Sequence, residues 1–162
     1  MVKVLLQDIK KLEAEAVIVG IYEDVRPLTG LAGELDWLLC GSLSAILLER
    51  RINGSLGDVA LLTSQRKIPA QKIFMIGLGE RAGFDASALR AAVRNAASAA
   101  VGAGISRAVL AFTHGDDLFA QEEPVQTIQD GLSEGAGGRM LDMSLLAADA
   151  ASYEKLARSA KA

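Results

Sequence analysis

Lys72-Ile73-Phe74-Met75-Ile76-Gly77-Leu78-Gly79-Glu80, followed by a helix from Ala86 to Val101 and then Arg107-Ala108-Val109-Leu110-Ala111-Phe112, is the stretch that decides the fold. Ile73 to Ile76 is a continuous apolar run, as in a strand covered on both faces. Asp85 is an N-cap residue, and the helix behind it carries Leu89, Ala92, Val93, Ala96, Ala100 and Val101 on one face. These side chains are mostly small, so the helix can lie close on a sheet, while Arg90 and Arg94 point elsewhere. Gly102 and Gly104 end the helix and the chain returns as a strand. A strand, a helix and a second strand joined by so long a crossover predict parallel pairing.

The same logic extends in both directions. Val2–Gln7 predicts a short first strand, and Ala16-Val17-Ile18-Val19-Gly20-Ile21-Tyr22 a buried one. Beyond Arg26-Pro27-Leu28-Thr29-Gly30, apolar residues from Leu31 to Leu47 recur at spacings of three and four, predicting one helix. Thr29 is its expected N-cap, Glu34 and Asp36 suit its positive end, and Arg50-Arg51 its negative end. Gly41 stands inside it at a cost of about 1 kcal/mol, which implies a neighbour passing close. Asn53-Gly54 stops the helix, and Asp58–Thr63 is the next strand. After residue 112, Pro124–Gly131 opens a helix that Gly131, Gly135, Gly137 and Gly138 make hard to continue. Ser144–Lys161 reads as a closing helix. The expectation is one α/β domain over residues 1–162, a three-layer α/β/α sandwich with a mixed, mostly parallel sheet. Its core occupies about residues 1–112, and residues 113–162 form a helical C-terminal part.

The 162 residues weigh 17.0 kDa, and 51% apolar with 23% charged residues is a globular composition. Seventeen basic and twenty acidic side chains give a net charge of −3, which argues against binding a nucleic-acid backbone. One cysteine, Cys40, excludes an internal disulfide framework and suits a reducing compartment. The charged N-terminus is unlike a secretory signal, and no apolar run reaches the length of a membrane span. A cytoplasmic location is expected.

Few residues offer chemistry. His114, the only histidine, precedes Asp116 and Asp117 at the end of the fifth strand. That place suits a metal or acid–base site, and equally a polar turn capped by aspartates. Gly77-Leu78-Gly79 could direct backbone N–H groups at a phosphate, but a dinucleotide fingerprint needs its third glycine one residue earlier than Gly83. A plain strand-to-helix turn is the competing reading. Cys40 is expected to be a small core residue, and Trp37 either a contact surface or a half-buried rim. No nucleophile, base and electrophile cluster together.

Certain segments are similar to a known family. Thr29-Gly30-Leu31 with Leu35-Asp36 and Gly41-Ser42-Leu43 resembles the first helix of the N-terminal domain of leucyl aminopeptidases, peptidase family M17. Asn53-Gly54-Ser55-Leu56-Gly57-Asp58 resembles the entry to that domain's next strand, and Ile76-Gly77-Leu78-Gly79-Glu80 its glycine-spaced turn. Leu89-Arg90 and the alanines up to Ala100 resemble its small-residue helix, and Glu134-Gly135-Ala136 its close. The likeness runs from about Leu12 to Ala136, with the stretch from Gly137 to Ala162 departing from it.

The resemblance implies a macro-domain-like sandwich. In the family this domain precedes a catalytic domain with two divalent metals, zinc or manganese, in a hexamer. No position of this sequence matches those ligands or the catalytic stretch, so no catalytic residue, metal site or cofactor is carried over. The departure after Ala136 implies a natural stand-alone protein. The expected role is therefore non-catalytic: binding or assembly, with itself as a homo-oligomer or with a full-length aminopeptidase. The alternative is a small-ligand module for ADP-ribose or a related nucleotide, using loops that carry Thr29, Gly30, Gly77, Leu78, Gly79 and His114. Glu23, Asp24, Glu80 and Asp85 oppose a diphosphate there, since a carboxylate about 4 Å from a phosphate costs about 1–4 kcal/mol.

Overall fold

The computed structural model describes residues 2–112, 117–118 and 120–161. Six strands form one sheet: β1 (Lys3–Leu5), β2 (Ala16–Tyr22), β3 (Val59–Thr63), β4 (Lys72–Gly79), β5 (Arg107–Ala111) and β6 (Asp142–Leu146), in the order β1-β6-β5-β2-β4-β3. All neighbours are parallel except the edge strand β3, which runs antiparallel to β4. The helices are α1 (Gly30–Leu38), α2 (Ser42–Leu48), α3 (Ala86–Gly102), α4 (Pro124–Ala136) and α5 (Ala150–Lys161). The mixed, mostly parallel α/β/α sandwich expected from the sequence is present.

Every residue of β2 is buried, and strand alternation divides them between two cores. Ala16, Ile18 and Tyr22 face Phe74, Ile76, Leu110 and Leu145, under Leu89, Val93 and Ala97 of α3, Ile128 of α4 and Leu156 of α5. Val17, Val19 and Ile21 face Ile73, Met75 and Val109, under Leu31 and Leu35 of α1 and Leu43 and Ile46 of α2. The middle layer is therefore wet on neither side.

Four local expectations need correction. The single helix over Leu31–Leu47 is broken at Leu39-Cys40-Gly41, and α1 and α2 meet at a bend of 105°. Gly41 has φ 81° and open space around it, so it serves the bend and not a close neighbour. Asp36 does not load the start of one long helix: its carboxylate accepts from the backbone N–H of Leu43 at 2.9 Å and of Ser44 at 3.0 Å, capping α2. Cys40, with φ 55°, is exposed at the same corner and is not a core residue. The one apolar stripe was real, but two short helices each bury part of it.

At the C-terminal end, Ser144–Lys161 is not one helix. Asp142–Leu146 inserts between β1 and β5 as β6, and the helix begins only at Ala150. Likewise α4 passes through Gly131 and Gly135 to Ala136. A Cβ on Gly131 would stand 2.6 Å from the Arg90 carbonyl oxygen, and one on Gly135 would overlap that of Arg94. These glycines let α4 settle on the backbone of α3, a gain that outweighs their poor helix propensity. Arg90 and Arg94 also meet Glu134 across this contact. The Arg90 guanidinium holds the Glu134 carboxyl below its ordinary range.

Gly135→Ala should therefore lose about 1–3 kcal/mol through overpacking. Gly102→Ala, where a Cβ meets open space, should be neutral or gain up to about 1 kcal/mol. Urea unfolding of both variants checks the pair.

Candidate functional site

The parallel strands β2, β4 and β5 end together, and open α/β sheets gather ligand-binding loops at that edge. Tyr22, the last residue of β2, has a half-apolar, half-polar side chain that needs a partner when buried. Its hydroxyl donates to Asp117 Oδ2 at 2.9 Å, and its ring meets the edge of Phe84 with centroids 5.5 Å apart. Burial, and then the Asp117 acceptor, push the Tyr22 phenol well above its ordinary range. Arg81 Nε and Nη2 donate to the other Asp117 oxygen at 3.3 and 3.2 Å. The backbone N–H of Arg81 donates to Asp24 Oδ1 at 3.0 Å. One arginine thus links the β2–α1 loop, the β4–α3 loop and the segment after β5.

A second arginine seals the neighbouring loop. Arg26 Nη1 donates to the Tyr22 and Val25 carbonyls, each at 2.7 Å, and Nη2 to the Asn53 carbonyl at 2.9 Å. The Ser55 hydroxyl donates to Glu23 Oε2 at 2.9 Å, and Asp58 Oδ2 accepts from the backbone N–H of Asn53 at 3.0 Å and of Gly54 at 3.2 Å. The Asn53–Ser55 turn therefore lies flat on the end of β4. A Cβ on Gly77 would overlap the Ser55 carbonyl.

The six residues expected in a ligand loop divide accordingly. Gly77, Leu78 and Gly79 are strand and not turn, because β4 continues to Gly79. The Gly77 N–H donates to the Asp58 carbonyl and the Gly79 N–H to the Gly54 carbonyl, each at 2.9 Å. Leu78 is buried, with its methyl groups where a Cβ on Gly20 would stand. Thr29, in extended conformation, and Gly30, with φ 61°, enter α1. His114 lies outside the described residues, as does Asp116. The hollow beside Thr29, lined also by Gly20, Tyr22, Val25, Leu28 and Leu31, encloses about 20 Å³. That is room for about one water. Among the described residues, no three His, Cys, Asp or Glu side chains converge as a metal site.

Sequence reasoning missed Tyr22, Arg26 and Arg81 as organisers of this edge. The available signal was weak: a tyrosine ending a buried strand and an arginine just past a glycine pair. Their partners are 95 and 36 residues away for the Asp117 contacts.

With this geometry in view, comparison with known proteins is decisive on ancestry. Residues 18–136 match the model of the cytosol aminopeptidase family, N-terminal domain. The chain belongs to that family. A probable cytosol aminopeptidase of Geobacter sulfurreducens is 33% identical over 93 residues, which are 57% of this chain and 19% of that relative. The chain thus spans about a fifth of such a relative's length. A tomato leucine aminopeptidase mutant superposes with a TM-score of 0.69 at 16% identity, covering 99% of this chain and 36% of that one. The shared fold therefore includes β6 and α5, beyond the family-matched residues. An Oceanobacillus iheyensis macrodomain mutant gives a TM-score of 0.72 at 14% identity, covering 98% of this chain and 89% of that chain. The macro-domain-like architecture is shared; at such identity the fold alone is.

Tyr22→Phe should cost about 1 kcal/mol, the net value of the lost hydrogen bond, because Asp117 keeps Arg81. A phenol raised above its ordinary value of about 10 adds stability below that pH and loses it as pH climbs past it. Thermal melts from pH 8 to 11 should show an alkaline decline that the variant lacks in part.

Proposed function

We propose that this chain is a non-catalytic binding and assembly module of the aminopeptidase family, acting in the cytoplasm on itself or on a full-length aminopeptidase. The observation that carries this reading is the family match itself: residues 18–136 match the family's N-terminal domain, and the chain spans only about a fifth of such a relative's length. Further support comes from the C-terminal sheet edge. There the Gly77 and Gly79 N–H groups are held by backbone carbonyls, and Asp24 and Asp117 by Arg81. An edge so bonded within itself favours a structural use over capture of a diphosphate. Apolar side chains stand instead on the periphery, with Trp37 76% exposed and Leu48 and Met140 more so.

The test is native mass, measured for the purified chain alone and mixed with a cognate aminopeptidase. Self-association or a mixed complex supports the reading; a monomer in both samples overturns it. Two controls address the rival activities. Leucyl-amide hydrolysis should be absent with zinc or manganese supplied. ADP-ribose at millimolar concentration should leave the melting temperature unchanged, whereas a ligand at 100 times its Kd would add about 2.7 kcal/mol.

A further inference from the structure

Among the described residues the sheet ends at β3, which pairs only with β4. The ladder between them fixes which backbone groups are used. Gly77 donates to the Asp58 carbonyl at one end, and the Ser64 N–H donates to the Gln71 carbonyl at the other. By the two-residue period of an antiparallel ladder, Ala60 and Leu62 also turn their N–H and C=O groups toward β4. Val59, Leu61 and Thr63 turn theirs away, to the open edge. The same three residues have exposed side chains, Val59 at 39% and Leu61 at 50%. They lie on the α3 face of the sheet, opposite Ile76, Phe74 and Lys72.

Sheet edges are ordinarily protected by lysine, proline, a bulge or a covering element. Val59-Ala60-Leu61-Leu62-Thr63 contains no charge and no proline, and its register with β4 is unbroken. Its outward groups are, however, complementary to themselves. An antiparallel copy centred on Leu61 sets Leu61 against Leu61 of the second copy and Val59 against Thr63, so every outward N–H and C=O finds a partner. Antiparallel pairing also brings the Arg66-Lys67 end of one copy beside the Asp58 end of the other, opposite charges abreast. A parallel arrangement would oppose like charges.

We propose that β3 is a self-pairing edge, joining two copies of this chain across a two-fold axis at Leu61 into one continuous sheet. Such an interface is isologous and closes at a dimer. The two Val59-Leu61-Thr63 stripes would share one face and cover each other's apolar side chains. This rests on the assembly reading above and names the surface for it.

The test compares the full chain with Leu61→Lys and, separately, Val59→Lys, by sedimentation equilibrium from 1 to 200 μM. In Leu61→Lys two ammonium groups would face each other across the axis. The unaltered chain should be a dimer, and both variants should weaken it at least tenfold while keeping circular dichroism and melting of a folded monomer, since these side chains face solvent. Deuterium exchange adds a readout independent of mutation: the Val59, Leu61 and Thr63 amides should be slow in the dimer and fast on dilution. Dimers that persist in both variants with fast Leu61 exchange overturn the edge but leave the assembly reading standing. A chain monomeric throughout overturns the edge, and one that pairs with a full-length aminopeptidase but not with itself does so as well while sparing the broader reading. Failure of every association removes both.

Discussion

Burial of β2 on all sides is the constraint from which the molecule is built. The strand is hydrogen-bonded to parallel neighbours along both edges and packed by helices on both faces. A strand in that position must be apolar at every residue, and it must have helices long enough to bring its parallel partners back beside it. Those demands account for α3 and for the two short helices on the opposite face. Where the packing is tightest, at Gly20, the side chain is omitted and Leu78 of β4 fills the place.

Close backbone approach is the second organising feature, and it directs where function can reside. The Asn53–Ser55 turn lies on Gly77, and α4 lies on α3 through Gly131 and Gly135. The first contact closes part of the sheet edge at which open α/β sheets receive ligands, because the turn's Gly54 carbonyl takes up the Gly79 N–H and the neighbouring Asp58 carbonyl that of Gly77. Arg26 and Arg81 then join the surrounding loops, with carbonyls and carboxylates as acceptors. At this edge the Gly77 and Gly79 N–H groups and the Asp24 and Asp117 carboxylates are all engaged within the chain.

The match lies in the family's N-terminal domain, and its architecture is held in common with macrodomains at low sequence identity. Conserving a fold requires only burial pattern and close approaches; conserving an activity requires particular donors at particular points. The rim strand β3 carries no charge and no proline, and among the described residues it pairs only with β4.

The strand–helix–strand succession around α3, the mostly parallel sandwich and the Asp85 cap were legible in the sequence, because each arises from local periodicity and short-range hydrogen bonding; that β4 and β5 both pair with β2 and not with each other was not. Apolar stripes, capping residues and crossover length act within a few turns of chain. The break at Gly41, the strand Asp142–Leu146 and the glycine-lined passage of α4 along α3 were decided only by tertiary packing. So was the grouping of Tyr22, Arg81 and Asp117. For β6, for α4 and for the Tyr22–Arg81–Asp117 group the deciding partner is remote in sequence, and a glycine or an alternating run is compatible with several local structures until that partner is in place. Periodicity reports which side of an element is buried; what it is buried against is settled by the rest of the chain.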